Sequence, residues 1–444
     1  MRTVLSIVLA TALLVSACGG TNSAAESTRA PDPLEGLPLA PDSARVDLAQ
    51  PTFSNPTTVT HPLFPISDLR SVVLLGNVDG HELRTETTLL PGTKTIDVNG
   101  QPVEALISQY VAYLDGRIEE VALDWYAQAD DGAVWYLGED VSNYQDGVVA
   151  DKEGTWLAGR EGPPAMIMPA DPRIGNVYRS ENAPGIVFEE VTVSDVGQTV
   201  DGPSGAVAGA MVADELHMDG TREDKIFAPG YGEFSTGRHG SLEALALAVP
   251  TDALPGPPPA ELVSLSAGAA EIFDAAEAGN WDAASASLDR MRAAWDTYRA
   301  AGVPRLLGDQ MSRALDALTG DALAPAVNGR NPAGARKAAI DVAMASLDLQ
   351  LRHRPPAEID LGRFDLWTRQ LAVDAAADDP GAVSGDVSTL EWVWDRIAHT
   401  LNRTVADDID AQLGDLRTAA DDEDLAAAAD GAQALVDTLA GLQP

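Results

Sequence analysis

Six dipeptides of one kind punctuate the first half of the chain: Asp79-Gly80, Asn99-Gly100, Asp115-Gly116, Asp131-Gly132, Asp146-Gly147 and Asp219-Gly220. A two-residue hairpin loop needs positive φ at both central positions, which Gly adopts freely and Asn or Asp tolerate. Alternating or β-rich runs lie between the dipeptides, at 71–78, 82–90, 106–114, 118–128, 133–139, 186–193 and 208–218. Hairpin signals this dense, with few helical periods among them, predict an antiparallel meander over residues 51–250.

The segment TDALPGPPPAE, residues 251–261, ends that pattern. Its prolines cannot continue a ladder and favour a stiff, extended link, which places a domain boundary at 251–260. Beyond it the period becomes helical. Ala-rich stretches are broken at Asn280, Gly302-Val303-Pro304, Asn331-Pro332, Pro355-Pro356, Asp379-Pro380 and Ala420-Asp421, and Ile340, Met344, Leu347 and Leu351 form a stripe at spacings of 4, 3 and 4. Seven or eight helices with short connections predict an up-and-down bundle over 261–444.

The start of the chain, MRTVLSIVLATALLVSACGG, joins one basic residue, a short apolar run and small residues leading into Cys18. This is the pattern of a secretory signal peptide, and the run is too short to span a bilayer. Val15-Ser16-Ala17-Cys18 looks like a bacterial lipobox, in which cleavage precedes the Cys and the Cys carries the lipid. Residues 1–17 are therefore expected to be removed and Cys18 to be the lipid attachment site. Cys18 is the only cysteine of 444 residues, so no internal disulfide exists. Residues 18–50, rich in Ser, Ala, Thr, Pro and acidic groups, read as a flexible tether.

Net charge is −39, from 68 acidic and 29 basic residues. The excess runs along the whole chain, with 32 acidic against 11 basic residues over 51–259. Phosphate backbones need the opposite sign, which argues against nucleic acid as a partner. Anionic headgroups are repelled as well, so membrane residence is expected from acyl chains on Cys18.

The stretch VALDWYAQADDGAVWYLGED, residues 121–140, sets four aromatic residues around one Asp-Gly turn. With Asp131-Gly132 as a two-residue loop, Val121, Leu123, Trp125, Val134 and Tyr136 share one face, and Asp124, Tyr126, Gln128, Trp135 and Leu137 the other. The first set reads as core. The mixed second set marks Asp124, Tyr126, Gln128 and Trp135 as candidate ligand contacts, since Tyr and Trp offer an apolar body with a polar tip.

This hairpin opens a longer pattern: Trp125-Tyr126-Ala127-Gln128, Asp131-Gly132, Val134-Trp135-Tyr136, Gly138-Glu139-Asp140, Tyr144, Gly154-Thr155-Trp156, Gly159, MIMPADPRIGNVYR (166–179) and FAPGYGEF (227–234). Together these motifs resemble a domain of bacterial exported proteins, often lipoproteins, that has no assigned activity. The match covers residues 51–250 and leaves the helical half without a counterpart. Such domains are similar to the half-barrels of lipoprotein carriers, which implies a curved antiparallel sheet with a concave face. The expected fold class is α+β in two domains, a β-rich curved sheet or half-barrel followed by an α-helical bundle. Pro169 and Pro172 make the MPADP segment an expected strap across the sheet.

No catalytic motif is present. His61, His81, His217, His239, His353 and His399 are too far apart for a zinc motif, and no nucleophile elbow, phosphate-binding loop or dinucleotide fingerprint occurs. Two weaker constellations remain. Glu391, Asp395 and His399 recur every four residues and are weak candidates for a metal site between helices. Residues 347–367 concentrate Asp348, Arg352, His353, Arg354, Glu358, Asp360, Arg363 and Asp365 around a double proline, as an ion-paired corner fixing two helices. The leading expectation is a lipid-anchored, extracytoplasmic, non-enzymatic module that binds a small-molecule ligand or envelope protein. Its rim would be the second aromatic face and MPADP. The alternative is a metal-binding or metal-sensing lipoprotein using the bundle carboxylates and His399. No motif requires a cofactor.

Overall fold

In the computed structural model, residues 33–238, 240–317 and 322–442 are described. The expected signal segment and Cys18 lie outside them. The fold is α+β in two parts, a fourteen-stranded antiparallel sheet followed by a region of nine helices among the described residues.

The sheet contains β1 (Ser71–Val78), β2 (His81–Val98), β3 (Gln101–Leu114), β4 (Arg117–Gln128), β5 (Val134–Gln145), β6 (Val148–Asp151), β7 (Trp156–Leu157) and β8 (Ala165–Met168). It continues with β9 (Val177–Ala183), β10 (Val187–Gly202), β11 (Gly205–His217), β12 (Arg222–Ala228), β13 (Gly232–Gly237) and β14 (Leu242–Val249). The strand order is β6-β5-β4-β3-β2-β1-β14-β13-β12-β11-β10-β9, with β7 and β8 added on β5. The first and last strands of the chain order thus meet in the middle, where β1 pairs with β14.

Four of the six turn dipeptides form the expected two-residue loops. Asp79, Asn99, Asp115 and Asp146 have φ of 50°, 54°, 50° and 51°, each followed by a positive-φ Gly. The other two differ. In Asp130-Asp131-Gly132 and Met218-Asp219-Gly220 only the Gly has positive φ, and the Asp carboxylate accepts the N–H two residues on, from Ala133 at 3.0 Å and Thr221 at 2.8 Å. These are three-residue loops. The Asp side chain caps the turn instead of lending its own backbone to the left-handed region.

One added loop residue shifts the β4–β5 register by one. Tyr126 faces Tyr136, and Ala127 faces Trp135, instead of the expected Ala127 to Tyr136 pairing. Because side chains alternate, Tyr136 moves to the face of Asp124 and Tyr126 while Trp135 leaves it. A bulge between Asp124 and Tyr126 preserves the inward direction of both.

The helices are α1 (Ala260–Glu277), α2 (Trp281–Arg299), α3 (Arg305–Asp316), α4 (Leu323–Asn328), α5 (Pro332–Gln350), α6 (Pro356–Ala376), α7 (Pro380–Ile397), α8 (Arg403–Asp421) and α9 (Leu425–Ala440). Asn280, Asn331, Asp379, Asn402 and Asp424 cap five of them by accepting a backbone N–H. None of the helices is long and apolar enough to cross a membrane. In place of one up-and-down bundle there are two apolar cores, one of α1–α5 and one centred on α6–α9. The division follows from what they pack on. Val73, Leu75, Leu247 and Val249 of the sheet enter the first core, and Tyr113 stacks on Trp367 at 5.4 Å beside the second. The indole N–H of Trp392 donates to the Tyr144 hydroxyl at 2.7 Å. One face of the sheet is thus covered by helices, leaving its other face to curl inward.

Two segments outside the strands take roles different from those expected. Residues 33–50 are no free tether, because Val46 N–H donates to Val177 O at 2.8 Å and Arg179 N–H to Asp47 at 3.1 Å, which covers the edge of β9. The MPADP segment begins as β8, paired on β5 through Met166 and Met168, and does not cross the sheet. The crossing strap is residues 51–69. Gln128 N–H donates to Pro56 O and Asp130 N–H to Thr52 O, both at 2.8 Å. Phe64 then lies edge-on to Tyr126 of β4 at 5.0 Å and to Phe227 of β12 at 6.3 Å, plugging the apolar end of the curl.

Candidate functional site

Register assigns the inner face of each strand. Directly opposed residues share a face, so Thr85, Ala112, Tyr110 and Ser108 lie with Glu120, Asp124 and Glu139. On the far side Glu181 opposes Glu189, Glu189 opposes His217, and Val191 opposes Glu215. Although β5 and β9 stand near opposite ends of the strand order, β8, which pairs on β5, packs against β9, and Glu139 and Glu181 act on each other's titration. The sheet therefore curls until its ends meet, and its concave face carries a nearly continuous belt of acids.

The belt runs from Glu120 to Asp124, Glu139, Glu181, Glu189 and Glu215. It continues through Glu223, Glu233 and Glu243, whose charge acts back on Glu120. Two basic groups stand among them. The Lys225 ammonium is 2.9 Å from Glu215 and 3.9 Å from Glu233, and His217 is 3.3 Å from Glu189 and 3.9 Å from Glu223. Both lie on the β10–β13 side.

Burial of so many like charges shows in their titration. Burial pushes Asp124 up to about 7 against the Tyr136 and Tyr126 hydroxyls that favour its charged form. Burial, then the Asp124 charge, brings Glu120 up to about 7. Burial likewise lifts Glu215 and Glu243 to about 7, helped by Glu189 and Glu233 respectively. Glu139 and Glu181 are likewise raised well above the ordinary carboxylate range, first by burial and then by Asp124 and Glu189 in turn. Glu139 in its turn opposes the ionisation of Glu181, as in other like-charged pairs. On the other side His217, despite burial, is raised to about 9 by Glu189, and Glu189 falls to about 2.

Of the four expected ligand contacts, two face this interior. Asp124 accepts the Tyr136 hydroxyl at 2.7 Å, and Tyr126 stacks on Tyr136 with centroids 4.8 Å apart. Gln128 instead accepts Thr60 N–H at 2.7 Å and holds the strap. Trp135 is buried on the opposite face of β5 because of the register shift. In the helices, Glu391 is clamped by Arg417 through hydrogen bonds of 2.6 and 3.0 Å, and with Asp395 it lines a cleft of about 480 Å³ beside Trp392. His399 falls past the end of α7, on the 3-10 turn Ala398–Thr400, so the i,i+4 ridge does not reach it. Sequence reasoning missed Tyr136, Glu139, Glu181, Glu215 and Lys225. Their inward alternation was readable strand by strand, but nothing local indicates that β5 closes on β9.

Among the described residues, one trio of metal-ligand types has its donor atoms within 4.8 Å of one another: Glu189, Glu215 and His217. It makes a poor metal site as it stands. His217 is held protonated, and Lys225 already neutralises Glu215. Nor is His217 arranged as a catalytic base, since its ring nitrogens face the carboxylates of Glu189 and Glu223 instead of a hydroxyl. No protein-family model, curated protein or solved structure matches the chain.

Proposed function

We propose that this chain is a lipid-anchored extracytoplasmic protein whose half-barrel is a non-enzymatic binding module for a positively charged ligand. One observation carries the reading. Glu120, Asp124, Glu139 and Glu181 are buried on the concave side, and no basic group of the chain is among the charges that shift them. A buried carboxylate costs several kcal/mol unless it is paired, so such a group either keeps protons or takes a cation. The lipobox-like Val15-Ser16-Ala17-Cys18 and the resemblance of residues 51–250 to a domain of exported lipoproteins support placement at the envelope.

The test is native mass spectrometry of the protein purified from its own host without chelator, before and after denaturation. The expected spectrum holds an adduct that is lost on denaturation and is absent from the Asp124→Asn/Glu139→Gln double variant. A bare mass, together with no thermal shift from metal or organic cations, would overturn the reading. Anchoring is tested separately, because Cys18→Ser should move the protein from the membrane to the soluble fraction.

A further inference from the structure

The two ends of the strand order are finished differently. The outer edge of β9 is covered by residues 33–50, whereas β6 has no strand on its outer side among the described residues. Asp146-Gly147 form a two-residue loop, so Gln145 and Val148 exchange the ladder bonds. The next pair, Tyr144 and Val149, then turns its N–H and C=O groups away, and those of Val149 point outward. Val148 is 53% exposed and Val149 47%. An edge with apolar side chains and outward backbone groups is a template for another strand.

The cleft of about 480 Å³ opens from that edge, with Val148 and Val149 on one side and Ser388, Trp392 and Asp395 of α7 on another. Ser388 to Asp395 spans about 10 Å of helix, the length of about three residues of extended chain. Val149 shares the face of Tyr144, its cross-strand partner, whose hydroxyl takes the Trp392 N–H. The cations of the cleft are already engaged, Lys152 by Asp140 at 3.1 Å and Ser142 at 2.8 Å, and Arg417 by Glu391 at 2.6 Å. Asp395 accepts no hydrogen bond and joins no ion pair among the described residues, and burial, then the Glu391 charge, oppose its ionisation.

We propose that β6 docks an extended basic segment of a protein partner, which adds one strand to the sheet and places an Arg or Lys side chain in the cleft against Asp395. The site is separate from the acid belt and independent of the ligand proposed there. Main-chain bonds to Val149 supply affinity, and alternation along the added strand supplies specificity. The residue opposite Val149 sends its side chain to the Tyr144 face, where Val149 and Trp392 flank its methylenes and Asp395 receives its charge. Charge also selects the partner. A chain of net charge −39 attracts a cationic strand and opposes a second copy of itself.

The test is isothermal titration at pH 8 of the full chain carrying Cys18→Ser with four capped probes. These are an octapeptide of alternating Thr and Arg, its Thr and Glu counterpart, the Arg octapeptide N-methylated at its Arg residues, and N-acetylarginine amide. The Arg octapeptide should bind and the Glu octapeptide should not. N-methylation, which removes the ladder donors, should weaken binding at least tenfold, as should reduction to the single amino acid. Asp395→Asn should weaken it at least fivefold. Val149→Pro should abolish it, because Pro is tolerated on an edge strand where the N–H faces solvent but cannot donate to an added strand. Asp289→Asn, an exposed acid on α2, should leave it unchanged. Thermal melts confirm that each variant is folded, and the bound octapeptide should slow amide exchange over residues 147–151. Equal binding by the N-methylated octapeptide, or an equal loss in Asp289→Asn, shows attraction to net charge alone and overturns the proposal. Equal binding by N-acetylarginine amide makes the cleft a small-cation site and overturns the added strand. A dimer in sedimentation that Val149→Pro abolishes gives the edge to a second copy, and no binding of the Arg octapeptide leaves it without its partner; either overturns the proposal.

Discussion

The Arg84 guanidinium of β2 grips the Asp348 carboxylate of α5 with two hydrogen bonds, at 2.6 and 2.8 Å, across the boundary between sheet and helices. The same Asp348 accepts from Arg363 at 2.7 Å, and Glu86 accepts from Arg84 at 2.7 Å and from Arg396 at 2.6 Å. Burial pushes the Glu86 carboxyl up, but Arg363, Arg84 and Arg396 outweigh it and hold it well below the usual carboxylate range. A buried network of this kind contributes little when intact and costs much when broken, because each lost partner strands a charge. Asp348→Asn leaves Arg84 and Arg363 short of a counter-charge, and the expected loss is about 3–5 kcal/mol. Urea unfolding followed by Trp fluorescence measures it. A loss under about 1 kcal/mol would mean that water reaches the network.

Glu139 predicts the opposite sign. Its charge is opposed by burial and then by Asp124, so Glu139→Gln removes a repelled carboxylate while keeping its shape. The gain is on the order of 1 kcal/mol at pH 8, which raises Tm by about 1 °C in a chain of this size. A variant that is more stable and yet loses its ligand is the signature of a residue kept for binding. A lower Tm would instead make Glu139 a structural group.

Stability should fall as pH rises through neutrality. Asp124, Glu120, Glu215 and Glu243 titrate at about 7 in the fold. In the unfolded chain such groups titrate at about 4. Between those values the folded state holds protons that the unfolded state has released, so stability drops as pH rises from about 4 to 7. His217, raised to about 9, adds stability that is present below its ordinary range and is lost as pH climbs through 9. Glu86 and Asp348, both depressed, act the other way and lose their contribution as pH falls below about 4. The expected Tm profile of the ligand-free protein peaks near pH 5 and declines to pH 9. A profile that rises from pH 5 to 8 would contradict the acidic interior.

How much of this was legible in the sequence follows from the range of each interaction. The Asp-Gly and Asn-Gly dipeptides announce hairpins because positive φ is a local demand, and four loops obey it residue for residue. The Asp131-Gly132 loop deceives by one residue, since an Asp carboxylate can cap a three-residue turn as readily as its backbone can enter the left-handed region. That single slip exchanged Trp135 for Tyr136 in the expected site. Asp348, Asp360 and Arg363 stood out as an ion-paired corner, and Arg363 does bind both carboxylates. Their partners Arg84 and Glu86 lie more than 250 residues away and carry no local mark. The acid belt is invisible for the same reason: alternation tells which residues point one way along a strand, but curvature decides whether opposite ends of the sheet face each other.

The docking of sheet on helices yields the last prediction, because two glycines of equal backbone conformation differ only in what surrounds them. Gly100 has φ of 83° and Gly147 φ of 79°. A Cβ on Gly100 meets nothing within 4 Å, whereas one on Gly147 would stand 1.9 Å from Gly381 O and 2.6 Å from Gly385 N of α7. The Ser384 hydroxyl donates to Gly147 O at 3.1 Å, so the β5–β6 hairpin tip is seated on the first turns of that helix. Gly100→Ala should cost only the left-handed backbone penalty, about 1–2 kcal/mol. Gly147→Ala carries the same penalty plus overpacking against backbone that cannot rotate away, a further ~1–3 kcal/mol. The difference between the two unfolding free energies isolates the hairpin-to-helix contact from the turn itself. Equal losses would show that the tip is free to lift off α7, and that the sheet is held to the helices by contacts elsewhere, such as the Arg84–Asp348 network, the Tyr113–Trp367 stack and the Trp392–Tyr144 hydrogen bond.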